Sequence, residues 1–347
     1  VISGACSDTT GPTLVSINPR PTAQILSVEF NTDCYDSKEG PVEVNIPFSA
    51  TGTAPYRIIS YDGLDYDTIQ DVNTTDGNGN FTDYLTTSNT DDFNIEIIDL
   101  MDANGCIAYP ESLTGMVTMT VYKQPDIHII GDDMIQVCDD MVQLETTQDV
   151  GTGYWVKAVG DDDLTINDPE QLVIQASTQH GSGNSKYYKL YRTGKNWPAT
   201  EEGKCERRDS VEVHFWKEPE AAYAGSRQGQ EFDTTIYFAD HMYLYADPPT
   251  AGSGKWEVLS GSASIENDTL YNSLINLGDQ DLDEPAEYLL NWTVTNGICQ
   301  VTFDKLKISR KDLRIYDGFS PDGNSINEFF NIEGLDYADT WELKIFS

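Results

Sequence analysis

Basic residues are scarce in this 347-residue chain, which has 21 lysines and arginines against 58 aspartates and glutamates, for a formal net charge of −37. Such a surface repels DNA, RNA and anionic lipid, because attraction to phosphate groups depends on clustered positive charge. We therefore expect no nucleic-acid partner. The acidic surface favours solubility, and its carboxylates are also possible oxygen ligands for divalent cations.

Long apolar runs are missing too. No stretch reaches the roughly 18 apolar residues of a membrane-spanning helix. The first residues, VISGACSDTTGPTL, have neither a basic nor an apolar segment and do not resemble a signal peptide, so we expect the chain to be a piece of a longer protein. A hydrophobic content of 39% with 11% aromatic residues excludes a disordered acidic chain.

Recognisable catalytic and zinc-binding motifs are absent from the sequence. The cysteines show no CxxC spacing, and each of the four histidines lies in a different segment without a second ligand or nucleophile at a motif spacing: His128, His180, His214 and His241. With 58 acidic residues, pairs of carboxylates arise by chance and indicate nothing about glycosidase chemistry. The sequence predicts a non-enzymatic protein without a cofactor, calcium being the one cation that its acidic turns could hold.

Apolar residues alternate with polar ones in segment after segment. DFNIEIIDL, GMVTMTVY, SVEVHFW and EYLLNWTVTNG each place their apolar residues on one face, and turns rich in Gly, Asp and Asn bound them. A period of two over five to eight residues is typical of half-buried β-strands. No amphipathic helix of about 12 residues is evident, so the predicted fold class is all-β.

Two kinds of residue recur at intervals of about 95 to 100 positions. Cysteines end the glycine-containing turns ISGAC, DANGC, EEGKC and TNGIC, and prolines recur in NPRPTAQI, KQPDIHII and KEPEAAYA. Such a period suits whole β-sandwich domains in tandem, of the Ig/PKD-like kind. The predicted organisation is a remnant of a preceding Ig-like domain at 1–19, three Ig-like domains at 20–123, 124–217 and 218–310, and a truncated β unit at 311–347.

The six cysteines fit this period as one early and one late cysteine in each domain. The sequence therefore predicts the disulfides Cys34–Cys106 and Cys138–Cys205, each within one domain. Cys6 is the late cysteine of the preceding domain, and Cys299 lacks an early partner, so we expect it to be a free, buried thiol. Paired cysteines are typical of an oxidising compartment outside the cytosol.

The turn SPDGNSINEFF, residues 320–330, gathers oxygen-bearing side chains around a glycine. Two interpretations are open: these side chains hold calcium, or they cap backbone amides in an Asx-rich turn. The candidate calcium ligands are Asp322, Asn324, Asn327 and Glu328.

The same turn begins a resemblance to a known family. The segment FSPDGNSINEFFNIEGLDYADTWELKIFS resembles the start of the gliding motility-associated C-terminal domain of Bacteroidota proteins. That family opens with Ser-Pro-Asn-Gly-Asp-Gly-x-Asn-Asp-x-Phe, which Ser320, Pro321, Asn327 and Phe330 match. Asp322, Asn324, Ser325 and Glu328 depart from it, whereas the later IEGL and LKIF agree.

The resemblance implies a cell-surface function. A domain of this kind is similar to a type B sorting signal, which implies export by the type IX secretion translocon and docking to a PorP/SprF-like outer-membrane β-barrel. We expect the stalk and anchoring region of a large adhesin in gliding motility, of the SprB-like type, at the extracellular face of the outer membrane. The stretch from Trp341 to Phe346 is predicted to be a strand with an open edge. The expected partner contacts lie on that edge and on the exposed segment before it: Phe319, Ser320, Pro321, Asn327, Phe329, Phe330, Trp341, Leu343, Ile345 and Phe346.

Two alternatives stay open. The same terminal domain is attached to secreted hydrolases, so these domains could be the spacer and sorting region of a carbohydrate-active enzyme whose catalytic module lies upstream. Tyrosine-rich stretches such as YYKLYR (187–192) would also permit glycan binding, although tyrosines on strands more often form cross-strand pairs.

Overall fold

The computed structural model describes residues 17–28, 32–198, 205–225, 234–278, 286–326, 328–335 and 340–344. Within these ranges the chain forms 26 β-strands, one 3₁₀ turn at Pro110–Ser112 and no α-helix, so the all-β prediction is confirmed. No helix in these ranges is long and apolar enough to cross a membrane. The strands group into three successive β-sandwiches and a short terminal hairpin.

Sandwich 1 consists of nine strands in two facing sheets. In chain order they are β1 (Thr22–Ile25), β2 (Thr32–Tyr35), β3 (Val42–Thr51), β4 (Tyr56–Tyr61), β5 (Tyr66–Val72), β6 (Asn78–Leu85), β7 (Thr90–Met101), β8 (Leu113–Thr114) and β9 (Val117–Lys123). One sheet has the order β6-β3-β1-β8 and the other β2-β9-β7-β4-β5. Apolar side chains from both inner faces form a single core.

Sandwich 2 has eight strands. They are β10 (Ile127–Ile129), β11 (Met134–Val137), β12 (Met141–Gln148), β13 (Thr152–Lys157), β14 (Thr165–Ile166), β15 (Val173–Ser177), β16 (Ser185–Lys195) and β17 (Glu206–Trp216). The sheets have the orders β10-β12-β15-β14 and β11-β17-β16-β13.

Sandwich 3 has seven strands, and a hairpin follows it. The seven are β18 (Thr234–Tyr237), β19 (His241–Tyr243), β20 (Ser253–Ser260), β21 (Ala263–Ile265), β22 (Leu274–Leu277), β23 (Ala286–Thr295) and β24 (Thr302–Lys311). Their sheets have the orders β18-β24-β23-β20 and β19-β22-β21. The hairpin pairs β25 (Arg314–Ile315) with β26 (Ile332–Glu333) and joins no other sheet among the described residues.

One pairing recurs in all three sandwiches. An early strand runs parallel to the last strand, as β2 does to β9, β11 to β17 and β18 to β24. All other pairs in the three sandwiches are antiparallel, apart from β1 with β8. The parallel pair brings an early segment of each sandwich to the end of its last strand, where the chain passes into the next domain.

The predicted inward faces are the buried ones. On β7, β9, β17 and β23 the alternating apolar residues are at most 6% exposed, because a period of two sends alternate side chains into the core. Those core residues are Phe93, Ile95, Ile97, Val117, Met119, Val121, Val211, Val213, Phe215, Tyr288, Leu290, Trp292 and Val294. Trp155 and Trp256, which stand at matching positions in the similar stretches GYWVKAVG and GKWEVLSG, are 2% and 1% exposed.

Candidate functional site

The disulfides join neighbouring sandwiches. Cys34, on β2, is bonded to Cys205, which precedes β17, with 5.3 Å between their Cα atoms. Cys138, directly after β11, is bonded to Cys299, which precedes β24, with 5.2 Å between Cα atoms. The early cysteine of one sandwich is therefore linked to the late cysteine of the next.

These bonds correct the predicted pairing. Cys34–Cys106 and Cys138–Cys205 do not form, and Cys299 is not a free thiol; the free thiol among the described cysteines is Cys106. The reason is geometric: Cys34 lies opposite Tyr122 at the end of β9, whereas Cys106 lies beside Asn18, ahead of β1. A disulfide requires Cα atoms within about 7 Å, which opposite ends of one sandwich do not offer. Cys6 lies outside the described residues.

Polar contacts surround the Cys34–Cys205 bond at the junction of sandwiches 1 and 2, which we call junction 1–2. The guanidinium of Arg207 donates to the carboxylate of Asp36 at 2.5 Å and to the amide oxygen of Gln124 at 2.6 Å. Gln124 in turn donates to the carbonyl of Glu206 at 3.1 Å. These groups come from both sandwiches and from the linker, so they fix how the two domains meet.

An asparagine after the penultimate strand reaches across each junction. The side-chain amide of Asn196 donates to the carbonyls of Asn89 and Lys123, both at 3.0 Å. At the junction of sandwiches 2 and 3, junction 2–3, the amide of Asn296 donates to the carbonyls of Asn184 and Lys217, both at 2.7 Å. The sequence analysis did not find these residues, although each directly follows a long alternating strand.

Junction 2–3 is also closely packed. Gly297 adopts a φ of 56°, and a Cβ there would lie 2.2 Å from the ring of Trp216. The backbone amide of Gly252 donates to the side-chain oxygen of Asn184 at 3.1 Å. A side chain at position 297 would push the two sandwiches apart, so glycine is required there.

A groove of about 800 Å³ lies at junction 1–2, lined by residues that include Asn89, Asp149, Tyr154 and Arg192. Burial alone would raise the pKa of Asp149, but hydrogen bonds from Lys123 and from the Asp126 amide hold that pKa below its ordinary value. This carboxylate is thus ionised and ion-paired with Lys123 at 2.6 Å. Such a group neither donates a proton nor accepts one readily near neutral pH.

The predicted partner-binding residues lie on the C-terminal segment, residues 312–347. Phe319, Ser320, Pro321, Phe329 and Phe330 are all exposed, and the rings of Phe319 and Phe330 are 6.0 Å apart. Phe329 is 85% exposed. Asn327 lies outside the described residues.

The predicted strand from Trp341 to Phe346 is wrong over its described part. Residues 341–344 have no regular secondary structure, and Trp341 and Leu343 are 62% and 49% exposed. Ile345 and Phe346 lie outside the described residues. The pairing in this segment is instead β25 with β26, where the Tyr316 hydroxyl donates to the Glu333 carboxylate.

The candidate calcium ligands that the structure describes cap backbone amides. Asp322 accepts from the amide of Asn324 at 3.1 Å, Asn324 from the amide of Ile326 at 2.8 Å, and Glu328 from the amide of Ser325 at 3.0 Å. Within the described ranges, no group of three His, Cys, Asp or Glu side chains is placed to hold a metal ion. Calcium binding at this turn stays a prediction.

The architecture defines the class of protein: a string of Ig-like β-sandwich domains joined by disulfides. No protein-family model matches the chain, and no curated protein does. A three-domain immunoglobulin segment of titin is 11% identical, with a TM-score of 0.41, covering 86% of this chain and 99% of that one. A mouse cadherin-23 segment (EC22–24) is 12% identical, with a TM-score of 0.32, covering 85% and 99%. The insect immune protein hemolin is 13% identical, with a TM-score of 0.31, covering 83% and 75%. At TM-scores below 0.5, none of these likenesses supports a functional conclusion.

Proposed function

We propose that the chain is a non-enzymatic extracellular stalk with an anchoring segment at its C-terminal end. The observation that carries the proposal is the pair of disulfides between successive sandwiches. Bonds of this kind restrict reorientation of neighbouring domains and persist in an oxidising compartment. A covalently joined series of sandwiches can hold a distal domain away from a surface and transmit force along its length.

The more specific part of the proposal concerns the C-terminal segment. Following the family resemblance, it belongs to a type IX secretion substrate, docks to a PorP/SprF-like outer-membrane β-barrel and anchors a gliding-motility adhesin. Two features support docking here: the hairpin β25–β26 pairs with no other strand among the described residues, and Phe329 and Trp341 are 85% and 62% exposed. Exposed aromatic side chains near an unpaired strand edge are a common basis of recognition.

The test is a pull-down of the tagged native protein from detergent-solubilised outer membranes, followed by mass spectrometry. We expect a PorP/SprF-like barrel with the wild type and a loss of at least tenfold with the double variant Phe329→Ala/Trp341→Ala. The matched control is Tyr243→Ala, which removes an aromatic side chain of 73% exposure from sandwich 3 and should retain the barrel.

Two outcomes would overturn the docking proposal. One is full retention of the barrel by the double variant. The other is release of the wild-type protein into the medium without any barrel, which would favour the spacer region of a secreted carbohydrate-active enzyme. The stalk itself is tested separately by the stretching experiment described in the Discussion.

A further inference from the structure

Cys106 occupies, in sandwich 1, the position that Cys205 and Cys299 occupy in sandwiches 2 and 3. The backbone amide of Asp102, one residue after β7, donates to the carbonyl of Cys106 at 3.0 Å. The backbone amide of Asn196, one residue after β16, donates to the carbonyl of Cys205 at 3.1 Å in the same way. Both cysteines therefore close a turn that begins at the end of the long strand paired antiparallel with the last strand, which is β7 with β9 and β16 with β17.

A second landmark aligns the same end of all three sandwiches. A glycine with positive φ precedes each of β4, β13 and β20, and it presses against the residue that follows the antiparallel partner strand, which is β7, β16 or β23. A Cβ at Gly151 would lie 2.9 Å from the Cβ of Asn196, and a Cβ at Gly252 would lie 2.7 Å from the Cβ of Asn296. At Gly52 it would lie 3.4 Å from the carboxylate of Asp102.

The sulfur atoms provide a third, independent landmark. Each lies near a backbone carbonyl of the chain that enters its sandwich. The distances are 3.0 Å from Cys205 Sγ to Tyr122, 3.5 Å from Cys299 Sγ to Lys217 and 4.0 Å from Cys106 Sγ to Asn18. Asn18 and Tyr122 both stand three residues before the recurring prolines, Pro21 and Pro125. Cys106 thus faces the entering chain as the bonded cysteines do.

The part of the chain that the structure describes leaves the surface beside Cys106 uncovered. Ile17, Ile107 and Tyr109 are 86%, 45% and 52% exposed, and the thiol of Cys106 is half-buried and free. At junction 1–2 the corresponding surface is covered: Trp197 is only 8% exposed and its ring lies 4.7 Å from that of Tyr122. The end of sandwich 1 therefore has the same sulfur position and an apolar rim, and no neighbouring domain covers it among the described residues.

We propose that Cys106 forms an interdomain disulfide with a further Ig-like sandwich attached on the N-terminal side of residue 17. The partner cysteine stands on the early strand that runs parallel to that sandwich's last strand, in the position of Cys34 and Cys138. Those two cysteines are already bonded to Cys205 and Cys299, so neither is the partner. This inference does not depend on the export or docking proposed above.

The chemistry is an ordinary thiol oxidation. The Cys106 thiol and the partner thiol lose two protons and two electrons as one S–S bond forms. The acceptor is the disulfide of a thiol–disulfide oxidoreductase, which leaves as a dithiol after exchange through a mixed disulfide. The same class of reaction produces the bond between Cys34 and Cys205.

One difference at this end affects how the junction is held. In sandwich 1, Asp102 occupies the position that Asn196 and Asn296 occupy in the other two sandwiches. Those asparagines donate across their junctions, whereas the carboxylate of Asp102 accepts a hydrogen bond from the backbone amide of Cys106 at 2.9 Å. The Asp102 oxygen is used as an acceptor, whereas the amide nitrogens of Asn196 and Asn296 are donors. The proposed junction therefore lacks the amide bridge and depends more strongly on its disulfide.

The test is disulfide mapping of the native full-length protein. Free thiols are blocked with iodoacetamide before denaturation, and the non-reduced digest is analysed by mass spectrometry. We expect the Cys106 peptide to be linked to a peptide from outside these 347 residues. The Cys34–Cys205 and Cys138–Cys299 linkages serve as internal controls. The variant Cys106→Ser should keep both control linkages and expose one newly alkylated cysteine on the preceding sandwich.

Several results would overturn the inference. One is an alkylated Cys106 in a sample in which both control linkages are intact. Another is a bond from Cys106 to Cys6, to Cys106 of a second copy or to a small thiol. A Cys106→Ser variant in which no further cysteine becomes alkylated would also contradict it.

Discussion

At the scale of single residues, the most unusual side chain is Asp83, a carboxyl that is 1% exposed inside sandwich 1. It accepts from the backbone amide of Tyr84 at 2.9 Å, and the hydroxyl of Ser60 lies 3.5 Å away. Burial, a hydrogen bond with Asp67 and the nearby charges of Asp67 and Asp62 raise the pKa of Asp83 to about 7. This carboxyl is therefore protonated in the folded protein over much of the acidic range.

The raised pKa of Asp83 predicts a pH-dependent contribution to stability. The carboxyl in the unfolded chain has its ordinary pKa of 3.8, so between that value and about 7 the folded state binds more protons. The contribution is therefore present at low pH and decreases as pH rises towards 7. Asp83→Asn lacks this dependence. The free energy of unfolding of the variant minus that of the wild type, measured by urea denaturation, should therefore rise from pH 5 to pH 8.

The control for Asp83 is Glu96→Gln, which removes the same charge from an exposed position of β7. The difference in free energy of unfolding between Glu96→Gln and the wild type should be the same at both pH values, within about 0.5 kcal/mol. If the difference in free energy of unfolding between Asp83→Asn and the wild type is also the same at pH 5 and pH 8, the raised pKa of Asp83 is contradicted.

At the scale of elements, the paired strands β20 and β23 bury a large cross-strand pair of side chains. Trp256 lies opposite Trp292, with ring centroids 5.0 Å apart, and both rings are almost completely buried. In sandwich 2 the equivalent cross-strand pair is Trp155 with Arg192. Arg192 is 1% exposed, donates to the carbonyl of Gln171 at 3.2 Å, and burial lowers its pKa. One architecture thus accepts either an aromatic ring or a hydrogen-bonded cation at this position.

Gly254 makes room for the tryptophan pair, and Gly254→Ala is expected to disrupt it. A Cβ there would lie 2.0 Å from the ring of Trp292, which cannot move without displacing Trp256. Overpacking of this kind costs about 1 to 3 kcal/mol. Urea denaturation with near-ultraviolet circular dichroism should show the lower stability and a changed tryptophan signal.

The matched control is Gly318→Ala, where an added Cβ would meet nothing within 4 Å. Its stability should stay within about 0.5 kcal/mol of the wild type. Equal stability of Gly254→Ala and Gly318→Ala would show that β20 and β23 can move apart at little cost.

At the scale of the whole molecule, the two disulfides enclose overlapping loops of 171 and 161 residues. Residues 138–205 belong to both loops. The shortest covalent route from Cys34 to Cys299 therefore crosses both S–S bonds and only the 67 residues between Cys138 and Cys205. Under tension this route becomes taut first, while the rest of the two loops stays slack.

Stretching the protein between its ends should reveal this arrangement. At about 3.5 Å per extended residue, the chain between Cys34 and Cys299 reaches about 900 Å when reduced and about 240 Å when oxidised. Single-molecule force spectroscopy should thus give a roughly fourfold longer extension of this region in dithiothreitol. The experiment uses these 347 residues alone, without the preceding sandwich proposed as the partner of Cys106, so Cys106→Ser should behave as the wild type in both states. Equal extensions with and without reductant would exclude the interdomain disulfides.

The fold class and much of the core were predictable from the sequence alone. The inward residues of β7, β9, β17 and β23 follow from alternation along one strand, which is a local property. The tandem domains follow from recurring turns, since each turn marks a chain reversal whatever it packs against. Trp155 and Trp256 were recognisable as core residues because the same short pattern surrounds both.

The pairing of the cysteines was decided only by the tertiary structure. The sequence order favours Cys34 with Cys106, yet these cysteines lie at opposite ends of one sandwich, and the nearest sulfur to Cys34 belongs to the next domain. Burial of Arg192 likewise depends on carbonyls brought from a distant loop. The aromatic residues that the structure describes in the C-terminal segment lie outside its two strands. Periodicity along a strand fixes which face is inward, but contacts between the ends of separate domains exist only once those domains have folded and met.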